Sequence, residues 1–76
     1  MIYAKITPKI MGLHFPTLRK PRNHYDIYEL IRFLIRDKYS QSECHKIADN
    51  AACWCELACI GETFEHKLFT IEIIDI

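Results

Sequence analysis

The sequence predicts one small α+β domain in which a strand, two helices and a final pair of strands follow one another, and three patterns carry that expectation. Ile2, Ala4 and Ile6 alternate with Tyr3, Lys5 and Thr7, the period of two of a strand with one buried face. Two stretches, about 24 to 38 and 41 to 60, hold apolar or small residues at helical spacing, each behind a residue that caps helices. Phe69, Ile71 and Ile73 then share one face of a last strand. An antiparallel sheet of about three strands with both helices on one face is the economical packing of these elements.

The first helix opens at Asn23, with Asp26 placed to favour its positive end, and continues through Ile27, Leu30, Ile31, Leu34 and Ile35. Ser40 and Glu43 spell the S-x-x-E capping box of the second. That helix is expected to continue to Ile60 and stop at Gly61, a natural residue just past a helix end. One stripe of it is small, Cys44, Ala48, Ala51, Cys55, Ala58 and Cys59, with Ile47 and Trp54 on its flank. Small side chains let backbones approach closely, so this stripe should pack at short range on the first helix or the sheet.

Between Pro8 and Arg22 the alternation dissolves into a segment with Gly12, Pro16 and Pro21, expected to be a long loop although it holds Ile10, Met11, Leu13, Phe15 and Leu18. Near the other end, Glu62 to Glu65 and Leu68 to Asp75 read as a hairpin. His66 and Lys67 are poor chemistry for a tight two-residue turn, so a longer connection is expected.

With 76 residues, half of them hydrophobic, the chain has material for one slender core and no second domain. Self-association is a reasonable expectation for a core of this size. Lys5 and Pro8 interrupt the only apolar stretch near the N-terminus, and no apolar run approaches the roughly 20 residues that cross a bilayer. Cys44, Cys53, Cys55 and Cys59 all fall in one predicted helix, where their directions do not suit disulfides. Reduced thiols and a cytoplasmic location follow as expectations.

Net charge is zero but unevenly spread: residues 1–38 hold eight basic and three acidic side chains, residues 39–76 two basic and seven acidic. The two halves are expected to attract each other within one fold, and a basic loop could also meet an acidic partner.

No enzyme class gains support. Two glycines, Gly12 and Gly61, leave no phosphate-binding loop. The C-x-x-C signature of zinc sites is absent, although Cys55 and Cys59 share a helix face and could recruit His14, His24 or His66. Cys53 points away from the small stripe, yet Asp49 and Glu56 flank it by about one turn, and two carboxylates keep a thiol protonated. His45 lies too far along the helix to serve as its base. His45 with Asp49, and Glu62, Glu65 and Glu72, read as solvated polar faces. No catalytic residue, cofactor or metal is therefore expected.

Binding is better supported. Arg19, Lys20 and Arg22 stand among aromatics, a composition that suits nucleic acid or an acidic partner, though no RNA- or DNA-binding motif accompanies them. Cys53, Leu57 and Ile60 form a second apolar stripe opposite the first, which either Phe15 and its loop or a partner must cover. The terminal strand turns Ile74 and Ile76 outward, and an uncovered strand invites pairing. The expected function is a non-enzymatic protein-binding module, an inhibitor or adaptor that occludes a larger partner, a type common among the short proteins of phages and mobile elements. A nucleic-acid-binding protein using residues 19–22 is the alternative, and a metal or thiol site at Cys55 and Cys59 a second one.

Overall fold

The computed structural model describes residues 1–9 and 17–76. Its elements are β1 (Ile2–Pro8), β2 (Leu18–Pro21), α1 (His24–Ile35), α2 (Gln41–Leu57), β3 (Thr63–Glu65) and β4 (Phe69–Asp75). The four strands make one antiparallel sheet in the order β2-β1-β4-β3. The α+β class, the element order and the antiparallel sheet are as the sequence predicts, with one strand more than expected.

The added strand is β2, inside the segment read as a loop. Leu18 lies opposite Ile6 and Lys20 opposite Ala4, so a stretch with one large apolar side chain forms the sheet's edge. Lys20 and Pro21 suit that position, because a charge and a missing N–H discourage further strands from adding there. The loop residues Ile10, Met11, Gly12, Leu13, His14, Phe15 and Pro16, and with them the expected covering role of Phe15, lie outside the described residues.

Register places Ala4 against Ile73 and Ile6 against Ile71, so β1 and β4 contribute one continuous apolar face. Ile27, Ile31, Leu34 and Ile35 of α1 and Cys44, Ala48, Ala51, Ala52 and Cys55 of α2 join it in a single buried cluster. Each fully buried Ile stabilises the fold by about 1.5–3 kcal/mol relative to exposure. The small stripe of α2 is buried as predicted, apart from Cys59, which lies beyond the helix and is exposed. Trp54, half-buried at the edge, meets Phe64 at 5.4 Å between ring centroids.

Both predicted caps form. Asn23 accepts the Asp26 N–H, and the Ser40 hydroxyl accepts the Glu43 N–H. The helices end earlier than expected, at Ile35 and Leu57. Gly61 has φ +92° but does not terminate α2. It is the third residue of a turn closed by Glu62 N–H to the Cys59 carbonyl at 3.0 Å, the position where a type II turn demands positive φ. Gly61 N–H then donates to the Ile73 carbonyl at 2.8 Å, and Ile73 N–H to the Glu62 carbonyl at 3.1 Å. Two residues thus oppose one, a glycine-led bulge that starts β3. Glu62 strengthens the turn by accepting the Cys59 N–H.

The β3–β4 connection covers residues 66–68, longer than two residues as predicted, with His66 N–H donating to the Phe69 carbonyl. Contacts between the basic first half and the acidic second half also form: Lys9 Nζ lies 3.4 Å from Glu65 Oε2 and His24 Nε2 2.9 Å from Asp49 Oδ1. Among the described residues no helix is long and apolar enough to cross a membrane.

Candidate functional site

Two features of α2 stand out, an exposed apolar end and a polar seam against α1. The apolar end begins with Leu57, the last residue of the helix, which is 87% exposed. Ile60 is 55% exposed. Because α2 ends at Leu57, Ile60 sits in the turn at 59–62 and not on the helix, so the expected helical stripe Cys53, Leu57, Ile60 is corrected to a helix end continued by a turn. Cys53 is exposed one turn before Leu57. None of the three belongs to the buried core, and the acidic side chains Glu56 and Glu62, both exposed, flank them in sequence.

The basic segment is divided. Arg19 and Lys20 are exposed on the edge strand, and Arg19 lies directly opposite Lys5 on the sheet face away from the helices. Arg22 is engaged within the fold, its Nη1 donating to the Ala58 carbonyl at 2.9 Å. A contiguous three-residue anion site is therefore corrected to two exposed cations and one that caps the C-terminus of α2.

The terminal strand is not an edge. β4 is paired on both sides over Thr70–Glu72, by β1 and by β3, whereas Ile74 and Asp75 are paired by β1 alone. Ile74 is half-buried on the open sheet face opposite Tyr3, and Ile76 is 65% exposed while its N–H donates to the Met1 carbonyl.

The polar seam follows from antiparallel docking of the two helices. His24, Tyr28 and Arg32 recur every fourth residue along α1, as do His45, Asp49 and Cys53 along α2, so each set lies on one face of its helix. His24 meets Asp49, and Tyr28 Oη meets His45 Nδ1 at 2.6 Å. The His24 ring stacks on Tyr28, centroids 5.8 Å apart and planes 15° apart. Arg32 lies over the Tyr28 ring, 5.5 Å from its centroid. The solvated polar face expected of His45 and Asp49 is thereby corrected: each has a hydrogen-bond partner on α1.

Cys53 Sγ lies 4.0 Å from the same Asp49 oxygen that meets His24. Loss of hydration, then the charges of Asp49 and Glu56, push its thiol pKa up, in the direction the flanking carboxylates predict. Among the described residues, His24, Asp49 and Cys53 place their ligand atoms within 4.8 Å of one another. Cys55 and Cys59 do not form such a site: Cys55 is fully buried, with its pKa pushed up to about 12 mainly by that burial, while Cys59 is exposed outside the helix. Compared with protein-family models, with curated proteins and with solved structures, the chain matches none.

Proposed function

We propose that this chain is a non-enzymatic interaction module that binds another protein through the C-terminal end of α2 and the turn after it. The observation that carries this reading is Leu57, a large apolar side chain 87% exposed at the end of a helix, next to Ile60 and Cys53 and outside a core that is closed without them. A few large side chains of this kind supply most of the energy of a protein interface once a partner excludes water from them. The acidic neighbours Glu56 and Glu62 favour a partner with an apolar pocket and a basic rim. Binding there places the whole domain across the partner's surface, so occlusion or bridging is its mechanism. A second copy of the chain is one form such a partner takes.

A tagged pull-down from lysate, run with and without nuclease and with a Leu57→Glu variant beside the wild type, tests this. The expected result is one protein recovered in both nuclease conditions and lost with Leu57→Glu, while the variant's melting curve stays unchanged because the side chain is exposed. Recovery that disappears after nuclease, and with Arg19→Glu and Lys20→Glu, overturns the reading in favour of nucleic acid. Recovery insensitive to Leu57→Glu removes this surface from the interface.

A further inference from the structure

We infer that His24, Asp49 and Cys53 form a binding site for a borderline-soft divalent cation, zinc above all, at the seam between α1 and α2. The ligand types are the first support. A neutral imidazole, a carboxylate and a thiolate are the set that zinc accepts and that magnesium and calcium do not, because the hard cations reject sulfur. Their charges sum to minus two, which neutralises the cation.

Geometry is the second support. Ligand atoms at about 2.0–2.3 Å from a tetrahedral zinc stand about 3.3–3.8 Å from one another. His24 Nε2 and Asp49 Oδ1 are 2.9 Å apart, Cys53 Sγ and Asp49 Oδ1 are 4.0 Å apart, and all three atoms lie within 4.8 Å. Movements of about an ångström by partly exposed side chains bring them to a common centre. Asp49 and Cys53 sit one turn apart on a single helical face, and His24 is the first residue of the facing helix, so the backbone holds the ligand set in place. The Tyr28 ring stacked on His24 fixes the imidazole plane.

A hydrogen bond between His24 and Asp49 explains two of these residues and leaves the thiol beside the same carboxylate oxygen unexplained, since a neutral S–H at 4.0 Å adds little. With a cation present, Cys53 releases its thiol proton to solvent and becomes the third ligand. Three protein ligands leave a fourth position, open to water or to a donor atom on a docked partner. The site shares Cys53 with the proposed protein-binding surface but does not depend on that reading, because the isolated chain suffices to test it.

The test is a cobalt(II) titration of the purified, reduced full chain followed by absorption, then competition with zinc. Saturation at one ion per chain with a thiolate-to-cobalt charge-transfer band is expected, bleached by zinc. Cys53→Ser should abolish the band, and His24→Gln and Asp49→Asn should each weaken binding by at least about tenfold. Cys59→Ser should behave as wild type. Cys53 is exposed, and circular dichroism of its variant confirms that the fold is kept. As a second readout, zinc should shift the ring nitrogen resonances of His24 and leave those of His45 in place. Absence of saturable binding, a band that survives Cys53→Ser, or a zinc shift on His45 in place of His24 overturns the proposal.

Discussion

Arg22 and Ala58, 36 residues apart in sequence, are joined by a guanidinium-to-carbonyl hydrogen bond of 2.9 Å. The bond ties the residue after the edge strand to the C-cap of α2, where carbonyl groups lack helical partners and the helix dipole favours a cation. Arg22→Ala should therefore lower stability by about 1–2 kcal/mol. Arg22→Gln, which keeps a neutral donor, should lose less. Urea denaturation of both variants measures this, and an Arg22→Ala midpoint equal to wild type would show that the bond contributes nothing.

Gly61 holds φ +92°, and a Cβ built there meets nothing within 4 Å. The cost of a side chain is then backbone strain alone, with no clash. Gly61→Ala should destabilise by about 1–2 kcal/mol, and Gly61→Asn by less, since Asn tolerates positive φ better than Ala. Equal stability of Gly61→Ala and wild type would contradict a turn fixed at positive φ.

His66 makes the fold sensitive to acid. Its ring stacks on Phe69 at 4.7 Å, and its Nδ1 accepts the Leu68 N–H at 3.1 Å, which requires that nitrogen to be unprotonated. Burial first, then Lys67 and Lys9, lower its pKa from the ordinary 6.5. As pH falls, the unfolded chain takes up this proton before the folded one does. The contribution to stability is thus complete above about 6.5 and is lost as pH drops through the lowered folded value. His66→Asn replaces Nδ1 with a side-chain carbonyl that accepts the same N–H and does not titrate. Denaturation midpoints between pH 7 and 5 should fall further for the wild type than for this variant. Parallel profiles would remove His66 as the cause.

Elements governed by local chemistry were legible. Asn23 and Ser40 cap because a short oxygen acceptor before a helical pattern has few other uses, and the β1 and β4 faces follow directly from alternation. β2 was not legible, because an edge strand needs little apolar content and Leu18-Arg19-Lys20-Pro21 lacks alternation. Gly61 misled for a different reason: a positive-φ glycine ends helices and forms bulges equally well, and only the carbonyl it meets on β4 tells the two apart.

The polar seam required tertiary knowledge that a helical wheel of α2 alone does not supply. One signal could have found it. In an antiparallel helix pair with a short connection, partners lie at equal distances from the turn, and His24 with Asp49, like Tyr28 with His45, are equidistant from the Arg36–Asp37 turn. Arg22 carried no such signal, since its partner is a backbone carbonyl and carbonyls are everywhere in a sequence.

The strand order β2-β1-β4-β3 also dictates when this protein becomes a protein. Its two middle strands, with Ile2 against Asp75 at one end of their ladder, are separated in sequence by every other element. On the ribosome, β1 must wait for residue 75 before it meets its principal neighbour. Until then only the β1–β2 pair and the helical hairpin have their partners at hand, and the core that β1 and β4 share with the helices stays incomplete. Assembly is consequently a late, concerted event limited by closure of nearly the whole chain, slower than for a helical bundle of equal length, and the nascent chain passes through a stage at which its future core lies open to chaperones.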